Sequence, residues 1–476
     1  MTRIRVFLIL LCLYIVPAAW AQTQAQSSLS TRNVSGTRIG HYKDGAFPID
    51  LTGRVAAYVP DGWGGYTTIT GTGRSDGTFT ILNVPYGYYL LQLGGRYIWT
   101  NRTFVNGDYD ASWRSTSVTA GPDTTLTLDL FNLQRWQATD VLELVDPNAA
   151  AFQSFSATEG QVELTGTFPY TGVLNDSTLG DKTYFLQLGT QYFGGYPLVV
   201  AARYFSPNTF IQPDGTDTSL TGRMWTINPT RRFRANINGA DLAAETLAAN
   251  PSAQFVSTLF AVDVFQGSLA KGWTGAAPDL VGYAFTSDVP FLTVNADLGD
   301  VMYGNPFPPV FQPFVLYQYS AQTYYLAPSA TNSAAITTGV YGNTTVFPTA
   351  FRPIQPMVGA VGQVSINGGD FFSSHSGIGL TPTLAWQRPK TGVAHIYSIA
   401  VWQLSNNEGD TEVARIARLQ TQSTRLTIPA GLLSSDQAYV FQITAIYRPG
   451  VDVAAEPFTL GPVAASADVI SGMMQP

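Results

Sequence analysis

The residues best equipped for chemistry crowd into one short stretch, Gly368 to Gly377 (GGDFFSSHSG), which holds Asp370, Ser373, Ser374, His375 and Ser376. A Ser-His-Asp relay needs its three groups to converge on one another, usually from distant parts of a chain. Neighbours in one short loop do not reach that geometry, so this stretch reads as a polar linker. A pair of carboxylates facing each other across a cleft could hydrolyse a glycosidic bond. Glu143, Glu163, Asp263, Asp288 and Asp300 are the candidate acids, and nothing in their spacing pairs any two of them. His41, His375 and His395 lie far apart and form no metal motif. No glycine-rich phosphate loop is present. The expectation is therefore no catalytic residue, no metal and no cofactor.

Aromatic rings flanked by glycine are the better lead. Trp63 and Tyr66 stand in GWGGY, Trp273 in KGWTG, and Tyr192 and Tyr196 in YFGGY. A loop ring of this kind can lie flat against a sugar or another protein. It can equally fold back over the end of a β-sandwich. Trp63, Tyr66, Trp273, Tyr192 and Tyr196 are the ligand-binding candidates, whereas Trp99 and Trp225 fall in strand-like runs and read as core.

The elements that must position these residues are β throughout. Thr and aromatic residues, which suit pleated sheets, are abundant, with 24 Tyr and 27 Phe. Charged residues are only 12% of the chain, and lysine occurs four times, at Lys43, Lys182, Lys271 and Lys390. The formal charge is −7 and no basic patch shows in the sequence, which argues against nucleic acid as a partner. At the N-terminus, Arg3 and Arg5 precede an apolar run from Val6 to Val16 and then Ala19-Trp20-Ala21. That is the pattern of a secretory signal peptide over 1–21, with a run too short to span a membrane. Residues 22–476 contain no cysteine, so they have no disulfide and must draw stability from large cores. The expected location is secreted, or at a bacterial cell surface or periplasm, with no transmembrane span once the leader is removed.

Along the chain, residues 22–47 read as a flexible polar arm. In Arg74 to Gly95, Ser75-Asp76-Gly77 predicts a tight turn between two alternating runs. Tyr89, Leu91 and Leu93 should face one side and Leu90 and Gln92 the other. Gly53-Arg54-Val55, Ser75 to Phe79 and Asn83 to Tyr89 (NVPYGYY) resemble the carboxypeptidase regulatory-like (transthyretin-like) β-sandwich. The resemblance implies a sandwich over 48–131 with no catalytic role. A middle β region, 132–365, follows as one or two domains, with one short helix at Asn238 to Asn250. Residues 366–476 resemble a fibronectin type III domain: Trp386 and Tyr397 match core positions, and Leu433 with Tyr439 match the residues before the penultimate strand. The resemblance implies a tyrosine corner at Tyr439. The segment Asn406 to Thr421 departs from the pattern as an insertion.

The fold class read from the sequence is all-β, a multidomain chain of β-sandwiches with short helical insertions. Irregular strand spacing argues against a membrane barrel. The expected function is a non-catalytic structural or adhesion protein whose partner is an extracellular protein or polysaccharide. The alternatives are a carbohydrate-binding or glycoside-hydrolysing protein and a self-assembling subunit.

Overall fold

The computed structural model describes residues 30–62, 64–266, 272–273, 277–286, 293–345, 353–460 and 463–476. It is all-β, and no sheet closes into a barrel among the described residues.

The N-terminal module begins with β1 (Thr31–Thr37), β2 (Ile39–Tyr42), β3 (Val55–Pro60), β4 (Tyr66–Thr70), β5 (Thr78–Pro85), β6 (Tyr89–Leu93), β7 (Arg96–Thr100) and β8 (Tyr109–Ala111). From Thr31 onward the expected arm is sheet. β1 runs antiparallel to β5 and parallel to residues 104–106, because its alternation buries Val34 completely. The predicted turn forms at Asp76, whose Oδ1 accepts from the Thr78 N–H at 2.9 Å, with Gly77 at φ 77°. Tyr89, Leu91 and Leu93 enter the core of this module. Leu90 and Tyr97 point the other way, into the core of the C-terminal module. Burying both faces of β6 and β7 is the first sign that the modules are fused.

The middle region carries β9 (Thr125–Phe131), expected in the first sandwich but paired with residues 163–169 and 217–223, and then β10 (Val141–Asp146), β11 (Tyr184–Phe193), β12 (Tyr196–Phe205), β13 (Gln254–Gln266), β14 (Asp279–Thr286), β15 (Phe311–Tyr325) and β16 (Ala334–Thr345). β9 places Leu126, Leu128 and Leu130 against Leu142 and Phe185 in one core. Phe233, Phe260, Tyr303 and Tyr317 fill a second. The one α-helix among the described residues, α1 (Gly239–Leu247), lies inside the predicted range and buries Leu242, Ala243 and Thr246.

The C-terminal module is a sandwich of β17 (Gly362–Ile366), β18 (Thr383–Gln387), β19 (Ile396–Asn407), β20 (Asp410–Thr421), β21 (Arg425–Thr427), β22 (Ala438–Tyr447) and β23 (Ala464–Ile470). β17, β18 and β21 form one sheet, and β20, β19, β22 and β23 lie in the other in that order. Trp386 meets Tyr397 edge-on at 5.2 Å, and the Tyr439 hydroxyl accepts from the Ser434 N–H at 2.8 Å. The segment Asn406 to Thr421 is no insertion. It is a tight turn at Glu408 and Gly409, both at positive φ, and a full strand paired to β19.

One ladder joins all three modules. β16 pairs antiparallel with β23 at Val340 to Asn343, and β20 pairs parallel with β7 at Arg418 to Gln420. A continuous sheet thus runs from β10 through β11, β12, β14, β13, β15 and β16 into β23, β22, β19, β20, β7, β6, β3 and β4.

Candidate functional site

The alternation of β19, β20, β22 and β23 sorts their side chains by face. Tyr397, Ile399, Leu419, Ile443 and Val469 enter the sandwich core. Ser398, Arg418, Gln420, Thr444 and Asp468 take the opposite face. On an isolated sandwich that face would meet water. Here it is roofed. Tyr42 and Tyr109 come from β2 and β8, with their hydroxyls hydrogen-bonded at 2.8 Å, and Trp113 stands edge-on to Tyr42. Phe458 comes from the segment after β22, and the Arg38 guanidinium lies 5.6 Å from its ring centre. Tyr341 adds a wall from the middle region. A cavity of about 590 Å³ remains between floor and roof.

Four arginines line that cavity: Arg38, Arg96, Arg418 and Arg448. Arg96 and Arg418 sit opposite each other in the parallel ladder of β7 and β20, an arrangement in which like charges repel. Among the described residues no ion pair involves any of the four. Asp468 is the acid that favours the charge of Arg418. It already accepts from the Thr444 hydroxyl at 2.7 Å and the Gly339 N–H at 3.1 Å. Burial, and then the neighbouring guanidiniums of Arg96 and Arg415, push Arg418 down to about 10. Burial also lowers Arg38, Arg96 and Arg448, and lifts the phenols of Tyr109 and Tyr341 to about 12. Guanidiniums stay charged in proteins, so these shifts measure an electrostatic cost.

Hydrogen bonding is incomplete in the same place. Arg38 Nη1 donates to the Leu93 carbonyl at 2.7 Å and Arg448 Nη1 to the Pro457 carbonyl at 3.1 Å. Among the described residues, Nε of Arg38, Arg418 and Arg448, the hydroxyl of Ser398 and Oε1 of Gln420 are buried without a partner. Unmet buried polar groups each cost about 1–3 kcal/mol. Their concentration around one cavity, together with unbalanced positive charge, describes a site built for an anion.

Of the aromatic candidates, Trp63 lies outside the described residues. Trp273 lies in a two-residue strand that pairs with Ala111 of β8, and its side chain is likewise outside them. Tyr66 is structural: its hydroxyl donates to the Thr427 carbonyl at 3.1 Å, tying β4 to β21, and burial lifts it to about 12. Tyr192 is 71% exposed beside the β11–β12 turn, while Tyr196 is half-buried against the middle core. Trp225, expected in the core, is 53% exposed under the guanidinium of Arg223, because residues 225–226 form only a short edge pairing to β12.

Two of the candidate acids do converge. A register shift between Val262 and Asp263 sets Asp263 directly opposite Asp279, and the two carboxyls hydrogen-bond. The Glu143 carboxyl accepts from the Asp279 backbone N–H. Burial, followed by the neighbouring carboxylates, raises Glu143 and Asp263 well above their usual range, and burial lifts Asp279 to about 6. Glu143 and Asp263 are about 5–6% exposed. Of the other acids, Glu163 is exposed, Asp300 is an exposed partner of Arg232, and Asp288 lies outside the described residues. In the 368–377 stretch, Asp370 accepts from the Ser373 hydroxyl, but His375 Nε2 donates to the Asp370 main-chain carbonyl and leaves its carboxylate alone. No relay is assembled there.

The arginine pocket escaped sequence reasoning because its members are spread from Arg38 to Arg448. The available signal was the alternation in HIYSIAVWQL, whose second face sets the small Ser398 and Ala400 between Ile396 and Trp402.

No family model matches the chain, and no curated protein matches it. Among solved structures, it is similar to the chicken CNTN1 FN1-FN3 domains at 12% identity, over 75% of this chain and 98% of that one, with a TM-score of 0.14.

Proposed function

We propose that this chain is a non-catalytic protein of the cell exterior that binds an anionic partner in the pocket where its three β modules meet. The observation that carries this reading is the set of four arginines, with no ion-pair partner among the described residues, around a cavity of about 590 Å³. Pockets of this size suit small ligands or one end of a polymer. The leader-like N-terminus supports an extracellular location. The strand order of the C-terminal sandwich and the Tyr439 corner support the fibronectin type III resemblance, a fold that serves as spacer and platform. Glycoside hydrolysis has less support, since the carboxyls that converge are buried and bonded to one another.

The test is retention of the purified chain on immobilised anionic polymers, namely sulfated, phosphorylated and carboxylated, beside neutral polysaccharides. Retention should be confined to anionic polymers and weaken as salt rises. Arg96→Gln and Arg418→Gln should each weaken it at least tenfold. Equal retention by variants that melt like the wild type would overturn the reading.

A further inference from the structure

Among the described residues the pocket lacks partners of both kinds, and this narrows its ligand. Arg418 Nε and Arg448 Nε are buried donors in need of acceptors, which any anion supplies. Gln420 Oε1 is a buried acceptor in need of a donor, and the buried Ser398 hydroxyl can use either. Inorganic sulfate brings acceptors only and would leave Gln420 Oε1 unmet, and phosphate as its dianion has a single hydroxyl to offer. A ligand with hydroxyl groups satisfies both. The donor set also lacks the usual phosphate features. Among the described residues no lysine and no helix N-terminus lines the cavity. Guanidinium forks match a planar carboxylate in a two-pronged bond as they do a phosphate, so it is the lack of these features that favours the carboxylate. The roof rings of Tyr42, Tyr109 and Trp113 provide flat apolar surface for a ring-shaped body.

Resting on the anion-binding reading above, we infer that the pocket takes a hydroxylated ring bearing a carboxylate, that is, a sugar acid of the uronate type. Its carboxylate lies between Arg96 and Arg418, a ring hydroxyl donates to Gln420, and the ring stacks beneath the N-terminal aromatics. Such a group could be a free sugar acid or a residue of an acidic polysaccharide.

Isothermal titration of the purified chain with galacturonate, trigalacturonate, sulfate, phosphate and a neutral trisaccharide separates these cases. A uronate should bind at least tenfold more tightly than sulfate or phosphate, and the neutral sugar should not bind. Trigalacturonate tighter than galacturonate assigns the site to a polymer, and equal affinities assign it to a free sugar acid. Gln420→Leu should cost uronate binding at least fivefold and leave sulfate binding unchanged. Arg418→Lys keeps the charge and loses the fork, so it should weaken uronate binding at least fivefold even where Gln420→Leu fails to fold. Sulfate or phosphate binding as tightly as the uronates would overturn the sugar-acid assignment and leave anion binding standing. No binding of any anion would overturn both. Uronate binding unchanged in a folded Arg418→Lys would overturn the placement.

Discussion

Asp263 and Asp279 show how strongly a single contact can depend on pH. A carboxyl held near 6 instead of 3.8 keeps its proton in the native state after the unfolded chain has lost it. Native stability therefore falls as pH rises from about 4 to about 6, and the share owed to Asp279 alone, on the order of 2–3 kcal/mol, persists at neutral pH. Asp263→Asn supplies the donor without the shared proton. It should leave stability at pH 4 nearly unchanged and raise it at pH 8 by about 1–2 kcal/mol. Urea unfolding at pH 4, 6 and 8 reads this directly, and a loss at pH 8 would mean that the Asp263 charge itself is needed. Glu143 and Asp263 stood among the sequence candidates and Asp279 did not, and the meeting of the three was not legible. It depends on a one-residue register shift between β13 and β14, and no local pattern announces such a shift. Tyr439 is the opposite case, since its bond to Ser434 spans only five residues and the fibronectin type III resemblance implied it.

Strands are the scale at which the sequence was most legible. Alternation in Tyr89 to Leu93 predicted which side chains share a face, and the Asp76–Gly77 turn predicted the entry to β5. What alternation left open was the neighbour each second face would meet. The polar Ser398, Gln420 and Thr444 share a second face that is roofed by the other modules. The expected flexible arm failed for the same reason: residues 31–37 are polar in composition, yet Val34 alternates correctly to close a sheet. Gly339 of β16 shows how tightly one such junction is drawn. A Cβ there would lie 2.2 Å from the Tyr319 carbonyl oxygen, and its N–H reaches Asp468. Gly339→Ala should destabilise the protein by about 1–3 kcal/mol through this overpacking. The shift in thermal midpoint measures it, and a midpoint unchanged from wild type would show that β15 can give way.

For the whole molecule, the continuous ladder matters more than the number of modules. A string of sandwiches joined by linkers melts in separate steps. Here β7 and β20 share hydrogen bonds, as do β16 and β23, and the N-terminal sheet gives Leu90 and Tyr97 to the C-terminal core. Calorimetry should show one cooperative transition, with calorimetric and van't Hoff enthalpies in agreement. Three resolved transitions would show that the seams contribute little. The parallel seam between β7 and β20 has a further, mechanical consequence. Strands laid side by side and drawn along their length act as a lap joint, whose bonds share the load and give way together. A protein tethered outside a cell and tugged by what it holds would then resist as one stiff link, where a beaded chain would lengthen bead by bead.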